Sequence, residues 1–362
     1  MLKLLLPPLF IFLYSFTLHS FEVTHQVRPG SVYESTALNS ACSTMLGTTF
    51  SGRCNPALFS YSKDQKVYLS LVGKADGDSI DNGRDLIFDP ITEETIRKLL
   101  QERNFNSFTF NSELVFKTKY FEIAYSPYYL LADLYIFNPA FPEISIHLVN
   151  QETLRLTSGH EFLNNKELTL SIGSSLFYYE HTYSNTIFSL FELSYRKPEE
   201  LIPFKTLYGV SGDLGFFVDL KRKYLPRLAL QMKNIHANRP KVTNTSSTSP
   251  LYQETLFLFE PYTTMGIGKG WMTKFGAFDV DFELPFTRYL QTARLKHSML
   301  GARYNLNLFS IFLGVGYYYH NLGLRFDSQN FNVGITYTKE SDMGALQPKT
   351  EESVYLGVDF IL

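Results

Sequence analysis

Stretches in which apolar and polar residues alternate recur along most of this chain, and they restrict its fold more than any other feature. Successive side chains of a β-strand point to opposite faces, so such alternation predicts strands with one apolar and one polar face. The chain ends on SVYLGVDFIL, where one face carries Val354, Leu356, Val358, Phe360 and Leu362 and the other carries Ser353, Tyr355, Gly357 and Asp359. Comparable stretches begin near Phe108, Ile144, Leu168, Leu228, Phe278 and Phe331. We therefore predict an all-β protein.

The chemistry of the two faces separates a membrane barrel from a soluble β-sandwich, which also alternates. The apolar faces carry Phe, Leu and Ile on nearly every stretch, whereas the opposite faces carry full charges such as Asp279, Asp281 and Glu283. Most stretches are close to the ~10 residues that a tilted membrane strand needs, and we count roughly 14 within a range of about 12 to 16. The sequence thus predicts a transmembrane antiparallel β-barrel of about 14 strands, with Asp279, Asp281 and Glu283 facing a wet lumen.

Composition excludes two other classes of protein. The mean hydropathy of −0.09 is too polar for a bundle of membrane helices, whereas strands can hide a membrane face in such a composition. Lysine plus arginine number 33 against 35 aspartate plus glutamate, so the chain lacks the basic surplus of a nucleic-acid-binding protein. The 32 phenylalanines and 24 tyrosines suit strands that meet both lipid and water.

Residues 1–20 have the pattern of a secretory signal peptide. Lys3 precedes an apolar run from Leu4 to Leu18, which is too short to span a bilayer. Export of a chain with barrel strands predicts the cell outer membrane, with both termini in the periplasm. The partners expected there are outer-membrane lipid and the barrel-assembly machinery, because the last strand with Phe360 resembles the signal that this machinery reads.

Residues 21–66 follow the signal and lack sustained alternation. They contain apolar residues that call for burial, among them Tyr33, Met45 and Phe59, so the segment is not of the disordered kind. We predict that residues 21–66 form a hatch inside the lumen and that residues 67–362 form the barrel. Cys42 and Cys54 lie in the hatch, where they either close a short loop as a disulfide or remain two buried thiols.

One segment inside the barrel region departs from the strand pattern. In DPITEETIRKLLQER, Asp89 can cap a helix, Pro90 suits its first turn, and apolar residues recur on one face. A short helix is therefore predicted over about residues 91–102.

No motif indicates catalysis, a metal or a cofactor. Asp76, Asp78 and Asp81 offer oxygen ligands, but their spacing is not that of an EF-hand and favours a solvated turn. The eight histidines include no HxxxH or HxH pair, and the sequence contains neither GxSxG nor a phosphate loop. We therefore expect a protein that is not an enzyme and that uses no cofactor.

Several short motifs resemble the long-chain fatty-acid transporter superfamily. FSGRCNPALFS, with Asn55, Pro56 and Ala57, is similar to the Asn-Pro-Ala motif that ends the N-terminal segment in that family. NPAFPEISI at residues 138–146 and GVGYYYHNLGLRFDSQNFNVGITY at residues 314–337 resemble a divergent branch that includes secretion-associated barrels. The resemblance implies a 14-stranded barrel blocked by a hatch, with hydrophobic molecules that enter from outside and leave sideways through the wall. It assigns Asn55, Pro56 and Ala57 to the hatch and the ligand path.

Two functions remain open at the level of sequence. The first is passive uptake or transfer of hydrophobic small molecules across the outer membrane. The alternative is a structural or secretion-associated barrel that presents surface loops, such as residues 239–250, to partner proteins. A hydrophobic small molecule is thus one expected partner and nucleic acid is not.

Overall fold

The fold is given by a computed structural model that describes residues 33–38, 41–47, 51–61, 66–76, 105–137, 143–222, 224–236, 261–286, 298–316, 319–342 and 349–362. The predicted signal peptide at residues 1–20, the predicted helix at residues 91–102 and the loop at residues 239–250 lie outside the described residues.

The alternating stretches form a single closed barrel of fourteen strands. Each strand pairs antiparallel with its neighbours in sequence, and β1 pairs with β14 to close the ring. The strands are β1 (Lys66–Asp76), β2 (Phe105–Lys117), β3 (Glu122–Phe137), β4 (Glu143–Asn164), β5 (Leu168–Ser189), β6 (Lys205–Leu220), β7 (Arg227–His236), β8 (Tyr262–Met272), β9 (Ala277–Phe286), β10 (Met299–Leu306), β11 (Phe309–Gly316), β12 (Tyr319–Asp327), β13 (Phe331–Asp342) and β14 (Lys349–Ile361). The predicted fold and strand number are confirmed.

The two faces of the last strand are also those predicted. Leu356 and Phe360 point outward and are 53% and 42% exposed, whereas Asp359 points into the barrel and is 2% exposed. The same rule holds around the ring, because the exposed large hydrophobic residues include Leu156 on β4, Leu176 on β5, Ile267 on β8 and Leu322 on β12. The outer wall is therefore an apolar band of the kind that faces lipid in membrane barrels.

The two ends of the barrel differ in their connections. At the short-turn end, neighbouring strands are joined by a few residues, such as Asn307 and Leu308 between β10 and β11, and β1 begins and β14 ends there. At the long-connection end, residues 77–104 separate β1 from β2 and residues 190–204 separate β5 from β6. Strand length is uneven as well, since β4 and β5 have 22 residues each and β10 and β11 have eight.

The connection between β5 and β6 folds back onto the wall. It contains a 3₁₀ turn (Leu190–Ser194) and a short helix (Pro198–Leu201). Ser189 accepts the Phe191 N–H, and its own N–H is bound by the Glu192 carboxylate, so the 3₁₀ turn is capped. Leu201 packs on Ile144 of β4 and Phe188 of β5. This connection is thus an ordered part of the long-connection end.

The pairing of β3 with both neighbours is irregular. Between β2 and β3 the register shifts from Ser112 to Leu114, and between β3 and β4 it shifts from Ser126 to Tyr129. Pro127 lies within the second shift and has no N–H to donate to a sheet. The hydrogen-bond ladder of the wall is therefore interrupted at this height of β3.

None of the helices among the described residues is long and apolar enough to cross a bilayer. Two of them precede the barrel strands: α1 (Tyr33–Ala37) and α2 (Ser51–Cys54), with a 3₁₀ turn (Pro56–Tyr61) directly after α2. These elements do not join the wall. The described residues from Tyr33 to Tyr61 are called the lumenal segment below.

Candidate functional site

The lumenal segment crosses the inside of the barrel from one wall to the opposite one. Its 3₁₀ turn (Pro56–Tyr61) contacts β4, β5 and β6, and its helix α1 contacts β11, β12 and β14. In a ring of fourteen strands β5 and β12 are seven positions apart, so they face each other. Tyr33, Leu38, Met45, Leu58 and Phe59 of the segment are all fully buried. They are among the described residues of the predicted hatch at residues 21–66, and the hatch itself stays a prediction.

A disulfide joins Cys42 to Cys54 within the lumenal segment. Both cysteines are buried and belong to the same apolar cluster as Met45 and Leu58. The bond ties the stretch after α1 to the end of α2, so the two halves of the segment are held together. Of the two states that the sequence leaves open for these cysteines, the structure has the bonded one.

Tyr33 fixes one end of the segment against the C-terminal strands. Its hydroxyl lies 3.0 Å from the carbonyl oxygen of Leu324 and 2.8 Å from that of Ile335. Burial disfavours the phenolate and raises the pKa of Tyr33 to about 12, so the hydroxyl stays a hydrogen-bond donor. A Cβ added at Gly334 would lie 2.3 Å from the Tyr33 ring, so the ring rests directly on bare backbone.

Glu34 forms a buried ion pair beside this contact. Its carboxylate bonds to the guanidinium of Arg325 on β12, and both side chains are almost fully buried. Arg325 also pairs with Asp327 and lies over the Phe312 ring, 5.3 Å from its centre. Breaking such a pair leaves an uncompensated buried charge, so it resists removal of α1 from this wall.

Asp281 and Glu283 on β9 hold the middle of the segment. Glu283 Oε1 accepts the backbone N–H groups of Cys42 (2.8 Å) and Ser43 (2.7 Å), and Asp281 Oδ2 accepts that of Thr44 (2.8 Å). Hydrogen bonds to a carboxylate are about twice as strong as neutral ones. The two carboxylates face inward as predicted, but they bind the lumenal segment and not a wet lumen, since they are 0% and 2% exposed.

Asp279, the third predicted lumenal carboxylate, contacts the lumenal segment indirectly, through two arginines that it binds. It accepts from Arg227 on β7 (3.1 Å) and from Arg303 on β10 (2.8 Å). Arg303 in turn donates to the Leu46 carbonyl oxygen, and Arg227 lies 3.5 Å from that of Thr44. Asp279 therefore orients two cations that bind backbone carbonyls of the segment.

The Asn55-Pro56-Ala57 motif fixes the other end of the segment. Asn55 Nδ2 donates to the carbonyl oxygens of Ser43 (3.3 Å) and Phe216 (3.2 Å), and its Oδ1 accepts the Ala57 N–H (3.0 Å). A Cβ at Gly215 would lie 2.0 Å from that Oδ1, so β6 offers room for the amide only because position 215 is glycine. Asn55 thus joins the segment to itself and to the wall.

Arg53 connects the segment to the irregular part of the wall. Its guanidinium bonds to Glu113 of β2, and both side chains are buried. Glu113 is the residue left without a partner in β3 where the register between β2 and β3 shifts. The segment is therefore in direct contact with the wall next to the interrupted ladder.

An apolar cluster lines the inner wall on the long-connection side of Arg53 and Glu113. Leu131 on β3 pairs with Val149 on β4, and Val149 pairs with Tyr183 on β5. Together with Tyr129 and the partly buried Leu207 they form one cluster. His181 Nδ1 lies 3.2 Å from Gln151 Oε1 next to it, so the cluster has a polar group on its border. The cluster is thus a buried apolar part of the inner wall with a polar border.

Sequence reasoning found part of this site. Alternation predicted the inward direction of Asp279, Asp281 and Glu283. The ligand path that the resemblance assigns to Asn55, Pro56 and Ala57 stays a prediction. Tyr33 was expected to be buried, but its partners on β12 and β13 were not identified. Arg227, Arg303 and Arg325 were missed, although each occupies an inward position of an alternating strand. Within the described residues no group of three His, Cys, Asp or Glu side chains could hold a metal ion.

The fold and the lumenal segment together define a class of protein: a closed fourteen-stranded barrel whose lumen is crossed by its own N-terminal segment. No family model and no curated protein matches this chain. Among solved structures it shares its fold with the Pseudomonas putida toluene transporter TodX, with a TM-score of 0.50 and 11% identity over 92% of this chain and 98% of that one.

Two further solved structures superpose on this chain less closely. A Pseudomonas aeruginosa FadL homologue has a TM-score of 0.46 and 12% identity, and covers 91% of this chain and 98% of its own. The Ralstonia pickettii toluene transporter TbuX has a TM-score of 0.46 and 9% identity, and covers 92% and 98%. At the level of the fold, the likeness to TodX confirms the resemblance seen in the sequence.

Proposed function

We propose that this protein is an outer-membrane barrel for the passive transfer of hydrophobic small molecules. The observation that carries the proposal is the lumenal segment, which crosses from β5 to β12 and is bonded to both walls. A barrel with such a segment is not built as an open water-filled pore. The apolar cluster of Tyr129, Leu131, Val149, Tyr183 and Leu207 provides the surface on which an apolar ligand would rest.

The outer wall supports the membrane location. Exposed Leu, Ile and Phe side chains recur on the outward positions of the strands, and the structural neighbour TodX is a toluene transporter. Membrane barrels place short turns in the periplasm and longer loops outside the cell, so the long-connection end faces outward. The apolar cluster then lies on the outer side of the lumenal segment.

The irregular stretch of β3 is the proposed exit. The segment lies across the interior from β5 to β12, whereas the ladder on both sides of Ser126–Tyr129 is incomplete. Tyr129 and Leu131 of the apolar cluster lie on the same strand, with Tyr128 and Leu130 on its outer face. A hydrophobic molecule would thus pass sideways from the cluster toward lipid, as the sequence resemblance implies.

Uptake by cells that produce this barrel tests the proposal, with a radiolabelled monoaromatic hydrocarbon and a small sugar as probes. We expect faster uptake of the hydrocarbon and no change for the sugar. Val149→Asp should reduce hydrocarbon uptake by about tenfold or more, because a carboxylate in an apolar site is costly to desolvate. The matched control is Asn150→Asp, which places the same charge one residue away on the exposed outer face.

Two outcomes would contradict the proposal. Uptake of both probes would show an open porin. Uptake of neither, with the barrel assembled, would favour a barrel that presents loops to partner proteins. The structure offers one observation for that alternative, namely the ordered connection between β5 and β6 carried by two 22-residue strands.

A further inference from the structure

Basic and aromatic side chains form a patch on one side of the short-turn end. Its cations are Lys166, Lys221, Arg222, Lys269 and Lys274, and its exposed apolar side chains are Phe162, Tyr224, Trp271 and Phe275. They belong to three successive turns, between β4 and β5, β6 and β7, and β8 and β9, and to the strand ends beside them. This set is called the rim patch.

Hydrogen bonds make the rim patch one continuous surface. Lys221 Nζ donates to Asn164 Oδ1 and to the Asn165 carbonyl oxygen, both at 2.6 Å, and so joins the first turn to the second. Lys269 Nζ donates to the carbonyl oxygens of Arg222 (2.9 Å) and Leu225 (2.6 Å), and so joins β8 to the second turn. The ammonium groups of Lys221 and Lys269 are therefore fixed between neighbouring turns and strands.

The rim patch lies at the border of the apolar band that is nearest the short-turn end. Ile267, Lys269 and Trp271 occupy successive outward positions of β8, and Ile267 and Trp271 are 50% and 43% exposed. The Lys269 stem follows this lipid-type surface while its ammonium group reaches back to the turn, as long basic side chains do at a membrane interface. Aromatic residues are typical of the same level in membrane barrels.

The opposite side of this barrel end has a different character. The turn between β10 and β11 is Asn307-Leu308, and that between β12 and β13 is Ser328-Gln329-Asn330, with Asp327 before it. None of these positions carries a cation. Within the rim patch the acidic neighbours are Glu167, which lies 3.8 Å from Arg222, and Glu161, which accepts from Asn164. The five cations outnumber these two carboxylates, so the rim patch carries a net positive charge.

We propose that the rim patch binds the headgroups of anionic glycerophospholipids in the membrane leaflet next to the short turns. Clustered Lys and Arg beside an apolar surface attract anionic lipid by charge, and the aromatic rings settle at headgroup level. The inference rests on the membrane placement given under the proposed function. It adds a lipid partner that the transfer of hydrophobic molecules does not require.

Trp271 makes the test direct, because it is the only tryptophan in the chain and lies in the rim patch. The full-length barrel is reconstituted in phosphatidylcholine vesicles, and its fluorescence is titrated with brominated phosphatidylglycerol or brominated phosphatidylcholine. We expect half-maximal quenching at a mole fraction about tenfold lower for phosphatidylglycerol, since each basic residue near a charged surface adds to the attraction. The preference should fall as salt is added.

The variant Lys166→Gln/Arg222→Gln/Lys274→Gln should reduce that preference to within about twofold. These three cations are exposed, whereas Lys221 and Lys269 hold the turns and are kept. The matched control Arg196→Gln/Lys197→Gln/Lys339→Gln removes one arginine and two lysines that are exposed toward the long-connection end, and it should keep the preference. Retention of the native gel shift by each variant shows that the barrel is assembled.

Equal quenching by the two lipids in the unaltered protein would overturn the proposal and leave the proposed function intact. The two lipids would also quench equally if the rim patch bound an acidic soluble protein instead of lipid. A control variant that loses the preference as fully as the rim variant would also overturn the proposal, because net charge alone would then explain it. Absence of quenching by either lipid would show that Trp271 is outside the bilayer, and would contradict the membrane placement itself.

Discussion

Asn55 illustrates how much one side chain contributes to holding the lumenal segment against the wall. Its amide binds three main-chain groups, two within the lumenal segment and one on β6. It is fully buried, so water cannot replace these bonds when the side chain is removed. The following Pro56 fixes its own φ and favours extended backbone at Asn55, which sets the turn toward β1.

Asn55→Ala should loosen the segment without preventing assembly of the barrel. Each buried group left without a partner costs about 1–3 kcal/mol, so the segment should leave the lumen more often. We expect frequent brief openings of the single channel in planar bilayers, against a quiet baseline for the unaltered protein. Asn150→Ala, at an exposed outward position, is the control and should stay quiet. Identical traces for all three proteins would remove Asn55 from the closing contacts.

The sequence predicted which face of a strand a side chain occupies better than it predicted which residues that side chain contacts. Period-two alternation sets which way Asp281 and Glu283 point, because it depends only on neighbours along one strand. Their partners Cys42, Ser43 and Thr44 are some 240 positions away in the chain. That contact depends on the curvature of the closed ring and on the depth of the segment, which no local pattern encodes.

The stretch from Cys42 to Cys54 acts as an element of its own. The disulfide closes it, the carboxylates of β9 hold its first residues, and Arg53 binds Glu113 of β2 at its end. Among its described residues only α2 (Ser51–Cys54) is helical, so the shape of this part depends on these few contacts. Sequence reasoning placed it inside the barrel by its apolar residues and its lack of alternation, but left its cysteines undecided.

Cys42→Ser/Cys54→Ser should weaken the closure of the lumen. A disulfide that closes a loop of this size stabilises by about 2–4 kcal/mol, so its loss allows the segment more freedom. We expect higher mean conductance in planar bilayers for the double-serine variant than for the unaltered protein. A variant that lacks residues 21–52 should conduct more than either.

The deletion variant also provides the control for this prediction. It retains Cys54 alone, so a reducing agent should not change its conductance, although the agent should raise that of the unaltered protein. If the double-serine variant conducts no more than the unaltered protein, the carboxylate and Asn55 contacts are sufficient to hold the segment.

At the scale of the whole molecule the ring of fourteen strands has no free edge, because β1 pairs with β14. A closed barrel of this kind resists detergent, since every wall strand is bonded on both sides. We expect the unheated protein to migrate differently from the heated protein on a denaturing gel. Coincident bands at both temperatures, together with recovery in a soluble fraction, would contradict the barrel.

The sequence predicted those parts of the architecture that come from a repeated unit, the alternating strand with a short connection to the next. Fourteen strands follow from the number of alternating stretches, and their orientation follows from short connections between neighbours. The 22-residue length of β4 and β5 was not foreseen, because the count assumed about ten residues for each membrane strand. The outer face of these strands near the connection is covered by Leu201, so apolar residues there do not mark lipid contact.

The anchoring of Tyr33 has a consequence for the order of assembly. Its hydroxyl binds carbonyl groups of Leu324 and Ile335, 291 and 302 positions further along the chain. Contacts between such distant parts form late, because a long stretch of chain must first be ordered. The end of the lumenal segment at Tyr33 therefore has no docking place until β12 and β13 are present, and it is among the last parts of the described structure to settle.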